Sequence, residues 1–192
     1  MNDGTGRSIT YLRLSVTDLC DLRCRYCMAE EGVEKHPHGA LCSFEELQTF
    51  AVAAARLGVN KIRITGGEPL VRRDIPELCA MLRAVPGVAE LCLTTNGIRL
   101  AQLARPLRKA GVDRLNISLD SLHPERYRAI TRVDGLDAVL SGIRAAEDAG
   151  FENLKINCVL LGGINDDEIE DFVRLTLNKP WQVRFIELMP IP

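Results

Sequence analysis

The stretch Arg114-Leu115-Asn116-Ile117-Ser118-Leu119-Asp120 alternates between polar and apolar side chains. This alternation predicts a β-strand with one polar and one apolar face. The same pattern recurs in residues 12–17, 61–65 and 154–160. A doubly wound parallel sheet would be apolar on both faces, and an ordinary closed barrel would have an apolar interior. The polar face therefore favours a curved, incomplete barrel with a polar lumen.

Helical segments separate the strands along the whole chain, which predicts parallel pairing through right-handed crossovers. The predicted strands cover residues 12–17, 61–65, 90–95, 114–119, 154–160 and 182–188. The predicted helices cover residues 43–57, 75–85, 98–110, 124–130, 136–149 and 166–178. This order predicts an α/β fold, an incomplete (βα)6 barrel with outer helices, and places residues 1–192 in one core domain.

Short motifs mark the helix ends. Ser43 with Glu46 has the spacing of a capping box, and Asn165 with Glu168 repeats it. Pro124 suits a first helical turn. Glycines that end a helix before the next strand are expected at Gly58, Gly111 and Gly150.

The composition is that of an ordinary globular protein, with 46% apolar and 26% charged residues and a formal net charge of −2. Bulk charge gives no sign of a nucleic-acid or membrane-surface partner, and no apolar run approaches the roughly 20 residues of a membrane helix. Residues 1–10 lack the apolar core of a signal peptide, so we expect a cytoplasmic protein.

The chain has seven cysteines, an odd number that argues against a disulfide framework in such a protein. Cys79, Cys92 and Cys158 lie in apolar stretches, where we expect small buried side chains. Three others form the compact segment Cys20-Asp21-Leu22-Arg23-Cys24-Arg25-Tyr26-Cys27, directly after the first strand.

Three thiolates at this spacing can hold either zinc or an iron–sulfur cluster. A structural zinc site needs four ligands, and the additional candidates are Cys42, His36 and His38. An iron–sulfur cluster held by three cysteines leaves one iron open to a small molecule.

The polar face of the predicted sheet carries the cations Arg13, Arg63, Arg114 and Lys155, which indicates an anionic ligand in the lumen. Alternatively, Arg114 and Lys61 lie at strand starts and simply reach solvent.

The cysteine spacing, with Tyr26 before Cys27, resembles the signature of the radical S-adenosylmethionine (SAM) superfamily. Thr65-Gly66-Gly67-Glu68-Pro69, after the second strand, is similar to the SAM-binding motif of that superfamily. Its two glycines allow a close backbone approach that a Cβ atom would block.

Three further segments resemble the GTP 3′,8-cyclase family of molybdenum-cofactor biosynthesis. They are Leu93-Thr94-Thr95-Asn96-Gly97, Asn116-Ile117-Ser118-Leu119-Asp120-Ser121 and Arg184-Phe185-Ile186-Glu187-Leu188-Met189-Pro190. This resemblance implies that a catalytic [4Fe–4S] cluster is ligated by Cys20, Cys24 and Cys27. It implies that SAM is bound through Tyr26, Gly66, Gly67, Glu68, Pro69, Ser118 and Met189. It implies that GTP is bound through Arg13, Arg63, Thr94 and Lys155.

The implied reaction is reductive cleavage of SAM, which starts the radical cyclisation of GTP to (8S)-3′,8-cyclo-7,8-dihydroguanosine 5′-triphosphate. The implied partners are an electron donor such as a flavodoxin or ferredoxin, a downstream molybdopterin-pathway enzyme, and a second copy in a homodimer. Members of that family are longer and carry a second cysteine triad, whereas this chain has no cysteine after Cys158. We therefore expect a truncated core that cleaves SAM at most and forms little cyclised product.

The residues alone leave other functions open. The chain could be a radical SAM enzyme with another substrate, a non-catalytic zinc or iron–sulfur binding module, or a degenerate core that binds a partner. Met189 could be a core thioether, and Thr94 and Ser118 could be ordinary polar strand ends.

Overall fold

The structure, a computed structural model, describes residues 2–33 and 41–188. The strands are β1 Tyr11–Ser15, β2 Lys61–Thr65, β3 Glu90–Thr95, β4 Arg114–Ser118, β5 Lys155–Leu160 and β6 Gln182–Glu187. The helices are α1 Phe44–Arg56, α2 Ile75–Arg83, α3 Leu100–Lys109, α4 Pro124–Thr131, α5 Leu136–Asp148 and α6 Ile169–Arg174. Each of the strands β1 to β5 is followed by at least one helix, as the sequence predicts.

The six strands form one sheet in the order β1-β2-β3-β4-β5-β6. Every neighbouring pair is parallel. Strands β1 and β6 form the two edges, so the sheet is open. The prediction of an incomplete parallel barrel is confirmed.

The two faces of the sheet differ as the alternation predicts. The side chains of Ile62, Leu93, Leu115 and Ile156 are fully buried in the hydrophobic core. Burying each one contributes about 1.5–3 kcal/mol to folding. Their sequence neighbours on the strands point to the opposite face, because successive strand residues alternate in direction. The polar side chains are thereby gathered in the lumen.

Local signals mark several helix ends. The Ser43 side chain accepts from the Glu46 N–H at 3.2 Å, and the Glu46 carboxylate accepts from the Ser43 N–H at 2.7 Å, so the capping box is confirmed. Gly58, Gly111 and Gly150 have φ angles of +99°, +89° and +86°, the left-handed backbone that ends a helix.

The second capping-box prediction is wrong. Asn165 makes no side-chain cap, and its amide donates to the backbone oxygens of Asp120 and Val159 at 2.7 and 2.9 Å. The buried Glu168 carboxylate accepts from the Ser121 hydroxyl at 2.8 Å. Contacts to the ends of β4 and β5 therefore outcompete the local cap, and the predicted long helix becomes a 3-10 turn followed by the short α6.

All seven cysteines are free thiols, and Cys79, Cys92 and Cys158 are buried as predicted. No helix in residues 2–33 and 41–188 combines the length and the apolar character that crossing a membrane requires.

Candidate functional site

The cysteine segment follows β1 and lies over the carboxyl ends of β2, β3 and β4. Cys20, Cys24 and Cys27 line one cavity of about 210 Å³. Gly66 and Gly67 line the same cavity, so the structure brings together the two motifs that the sequence singled out. The other lining residues that the sequence predicted are Tyr26, Glu68 and Ser118.

Helix α4 holds the cysteine segment from one side. The backbone N–H of Arg23 donates to the Thr131 carbonyl, and that of Arg25 donates to the Ile130 carbonyl, both at 3.0 Å. These bonds satisfy carbonyls at the helix end that have no partner within the helix. The Arg132 guanidinium, from a residue with φ of +59°, donates to the Arg23 carbonyl at 2.8 Å. On this side the segment is thus held by hydrogen bonds of its backbone N–H and C=O groups.

Tyr26 connects the cysteine segment to the centre of the sheet. Its hydroxyl donates to Oδ2 of Asp120 at 2.6 Å, while Oδ1 accepts from the Val159 N–H at 2.8 Å. Burial raises the pKa of Asp120 above its ordinary value, and these two hydrogen bonds partly offset the shift. The sequence analysis did not assign Asp120 to the site, although the residue ends the alternating stretch that defines β4.

The two glycines allow the loop after β2 to pack on the chain just before the cysteines. A Cβ at Gly66 would lie 2.3 Å from the Thr17 carbonyl oxygen, and one at Gly67 would lie 2.4 Å from that of Leu19. The N–H groups of Gly67 and Glu68 donate to these same two oxygens at 2.7 and 2.8 Å. The close approach observed is therefore to protein backbone, and contact between these glycines and SAM stays a prediction.

Glu68 uses its side chain inside the protein. Its carboxylate is buried and accepts from the Thr95 hydroxyl at 2.8 Å, the Asn96 N–H at 2.6 Å and the Leu70 N–H at 2.9 Å. Desolvation raises the pKa of Glu68 to about 7, although these hydrogen bonds stabilise the charged form and act to lower the pKa. Glu68 thereby joins the loops after β2 and β3, while Pro69 begins the adjoining 3-10 turn.

Asn96 lines the other side of the cavity and is held there by Asp21, and the sequence analysis missed both roles. The Asn96 amide donates to Asp21 Oδ1 at 2.7 Å and approaches the Cys20 sulfur at 3.9 Å. The Arg99 Nε donates to Asp21 Oδ2 at 3.0 Å. The sequence did place Asn96 directly after a predicted strand and within the segment Leu93-Thr94-Thr95-Asn96-Gly97 that carries the family resemblance.

The three thiols of the cysteine segment are free side chains that line one cavity. Burial raises the pKa of Cys20, and raises that of Cys24 to about 12, so both stay protonated until a metal cation binds. In residues 2–33 and 41–188, no three side chains of His, Cys, Asp or Glu are placed to hold one metal ion. The zinc candidates His36 and His38 lie outside the described residues, as does Met189.

A second cavity of about 750 Å³ occupies the lumen of the sheet. Its lining includes the four residues that the resemblance assigned to GTP, namely Arg13, Arg63, Thr94 and Lys155. Lys61 and Arg184 add two more cations to it. Thr94 also lines the cysteine cavity, so the two cavities are adjacent.

Four of the lumen cations have no anionic partner in the described part of the chain. Among the described residues, no carboxylate forms an ion pair with Arg13, Arg63, Lys155 or Arg184. Burial lowers the pKa of Lys155. The neighbouring cations lower it further, and Arg184 has the largest effect among them. A concentration of uncompensated positive charge favours an anionic ligand.

The cations at the strand starts behave differently. Lys61 and Arg114 both pair with Glu90, at 2.7 and 2.9 Å. Arg114 was expected on the polar inner face, but 44% of its side chain is exposed beside Glu90. The alternative interpretation, a strand-start cation that reaches solvent, describes Arg114 better.

Comparison with known proteins gives one family and many relatives. The model of the Radical SAM superfamily matches residues 14–176. A GTP 3′,8-cyclase of Geobacter sulfurreducens is 57% identical over 98% of this chain and 58% of its own length. One of Pseudomonas entomophila is 54% identical over 98% of this chain and 56% of its own length. The chain thus spans less than two thirds of the curated relatives that it matches.

Solved structures share the fold at low sequence identity. Streptococcus suis SuiB superposes with a TM-score of 0.75 and 20% identity, covering 95% of this chain and 40% of SuiB. The protein described as native anSMEcpe with bound AdoMet superposes with a TM-score of 0.73 and 18% identity, covering 93% and 51% of the two chains. These similarities concern the fold alone.

Proposed function

The chain belongs to the radical SAM superfamily, whose members use a [4Fe–4S] cluster and SAM, and we propose that it is the cluster-bearing core of a GTP 3′,8-cyclase. The observation that carries this proposal is the pair of adjacent cavities that share Thr94. One is lined by three thiols, and the other by cations, four of which have no anionic partner among residues 2–33 and 41–188. The relatives named GTP 3′,8-cyclase support the choice of substrate.

In the proposed site, Cys20, Cys24 and Cys27 hold the cluster. The residues proposed to surround SAM are Tyr26, Gly66, Gly67, Glu68, Pro69, Ser118 and Met189. When bound, these two groups supply the one-electron cleavage of SAM that starts radical chemistry. The chain itself positions the reactants and excludes water, because a carbon radical attacks whatever lies nearest.

The triphosphate is proposed to bind in the lumen. Arg13, Arg63 and Lys155 are donors there, and the structure adds Arg184 to them. Charge-assisted hydrogen bonds to phosphate are stronger than neutral ones, and a guanidinium can make two at once. Arg63 is already oriented, since its Nε donates to the Tyr11 hydroxyl at 2.5 Å. Thr94, on the shared wall, would contact the part of the substrate nearest to SAM.

The remaining assignments are also proposals. Residues 1–192 form the core domain, and a longer natural chain would carry the second-cluster region. We further propose a flavodoxin or ferredoxin as electron donor, transfer of the product to a downstream molybdopterin-pathway enzyme, and a cytoplasmic location. A homodimer is the oligomer that we would test first.

The test is a turnover assay under anaerobic conditions with SAM, dithionite and either GTP or ATP. For the 192-residue chain we expect 5′-deoxyadenosine with little cyclised nucleotide. For the same core within a chain of the relatives' length, we expect a product that forms with GTP and not with ATP. Cleavage of SAM without any GTP-dependent product in the longer chain would mean that the substrate is different.

A further inference from the structure

Two asparagine side chains in the lumen have an amide oxygen without a partner. Oδ1 of Asn116 and Oδ1 of Asn157 are buried and accept no hydrogen bond from any described residue. Only 5% of Asn116 is exposed. Leaving a buried acceptor unpaired costs about 1–3 kcal/mol, and both asparagines line the lumen, so a ligand donor that reaches either oxygen would be favourable.

The two amides occupy equivalent places in the sheet. Asn116 on β4 lies in register between Thr94 on β3 and Lys155 on β5. Asn157 on β5 lies in register between Ser118 and Arg184 on the strands beside it. Each amide is thus flanked by a hydroxyl on one side and a cation on the other, and both line the 750 Å³ cavity.

The flanking hydroxyls place the amides at the junction of the two cavities. Thr94 and Ser118 line the cysteine cavity, whereas Lys155 and Arg184 line the lumen. A substrate that reaches from the cations toward the thiols therefore passes both asparagines.

The chemistry of an amide selects what it can bind there. Phosphate oxygens are acceptors, and the cations already supply donors for them. An amide oxygen requires an O–H or N–H donor, while the amide nitrogen can donate in return. The sugar of a nucleotide lies next to its phosphates, and its two adjacent hydroxyls both donate and accept. The sugar is thus the group that matches the place and the chemistry of the two amides.

We propose that Asn116 and Asn157 bind the sugar hydroxyls of the substrate nucleotide, hold the sugar at the junction, and select ribonucleotides over deoxyribonucleotides. This inference rests on the proposed function, since it takes a nucleoside triphosphate as the ligand of the lumen.

The test measures equilibrium dissociation constants of GTP, 2′-deoxyGTP, 3′-deoxyGTP and inosine triphosphate with the anaerobically reconstituted protein. The original protein should bind GTP about ten-fold more tightly than at least one deoxy analogue, because that analogue leaves an amide oxygen unpaired. Asn116→Ala and Asn157→Ala should each weaken GTP binding. They should also bring the ratio of the dissociation constants of the deoxy analogue and GTP closer to one. Inosine triphosphate, which lacks the guanine amino group, should bind like GTP.

Asn153→Ala is the matched control, because Asn153 is exposed outside the cavity. It should change neither the affinity nor the preference. The ligand-free Asn116→Ala protein should melt no lower than the original, since the change removes an unpaired oxygen. An intact preference for GTP in both lumen variants, or an equal loss of affinity for all four nucleotides, would overturn the inference. If the original protein binds no GTP, the proposed function itself fails.

Discussion

The Tyr26 hydroxyl donates a 2.6 Å hydrogen bond to the Asp120 carboxylate, although 94 residues separate them in the chain. Tyr26 belongs to the cysteine segment, and Asp120 follows β4 and also accepts from the Val159 N–H. One buried carboxylate therefore ties the segment that carries the thiols to two strands of the sheet. The orientation of the thiols depends on this tertiary contact as well as on their spacing.

Tyr26→Phe tests this connection. Removing the hydroxyl deprives a buried carboxylate oxygen of its donor, so the free energy of unfolding should fall by about 1–3 kcal/mol. Urea unfolding of the cluster-free protein measures this change. Tyr127→Phe is the control, because the buried Tyr127 hydroxyl has no hydrogen-bond partner among the described residues, and its removal should cost no more than about 0.5 kcal/mol. Equal effects of the two changes would refute the connecting role of Tyr26.

Gly67→Ala tests the packing of the glycine loop. The new Cβ would lie 2.4 Å from the Leu19 oxygen and 2.5 Å from that of Asp18, and backbone must move to relieve this overlap. We expect a loss of about 1–3 kcal/mol in stability, measured by thermal unfolding, together with weaker retention of iron. Gly162→Ala is the matched control, since its Cβ would meet nothing within 4 Å. A Gly67→Ala protein as stable as that control would contradict the observed packing.

The buried Glu68 gives a prediction for pH. Desolvation raises its pKa from an ordinary value of 4.5 to about 7, so between these values the folded protein binds more protons than the unfolded one. The contribution of Glu68 to stability therefore falls as the pH rises from 4.5 to 7. Glu68→Gln removes this titration, but it places an amide N–H₂ against a backbone donor.

Denaturant unfolding of the cluster-free protein at several pH values measures the difference between the two proteins. The stability advantage of the original protein over Glu68→Gln should shrink as the pH rises through this window. A difference that stays constant, or grows with pH, would show that the pKa of Glu68 is not raised.

Lys155→Ala tests the anion site. Losing a charged hydrogen bond should weaken GTP binding by about 1.5–3 kcal/mol, measured by isothermal titration of the anaerobic protein. Lys109→Ala, an exposed position at the end of α3, is the control and should leave the affinity unchanged. The same dissociation constant in Lys155→Ala as in the original protein would remove Lys155 from the site.

Local signals predicted the regular parts of the fold. The reciprocal Ser43–Glu46 cap and the glycines after α1, α3 and α5 act within a few residues, and the structure has them where the sequence placed them. Alternation along β4 predicted the polar lumen because neighbouring strands expose the same face. These features need no knowledge of distant contacts.

Distant contacts explain what the sequence analysis missed. Asn165 and Glu168 have the spacing of a cap, but partners on other loops engage both side chains. The roles of Asp120 and Asn96 arise only when loops after different strands meet. Arg114 lies on the polar face by parity, but its place at the strand start leaves it beside Glu90.

The central claim is that Cys20, Cys24 and Cys27 hold a cluster with an open iron to which SAM binds. Low-temperature electron paramagnetic resonance of the anaerobically reconstituted, dithionite-reduced protein, with and without SAM, tests it most directly. We expect a reduced four-iron signal that changes when SAM is added, and no signal in Cys24→Ala, while the control Cys42→Ala keeps it. The account would be contradicted by a signal that does not change when SAM is added, or by a full signal in Cys24→Ala. Zinc bound in place of iron and sulfide would also contradict it.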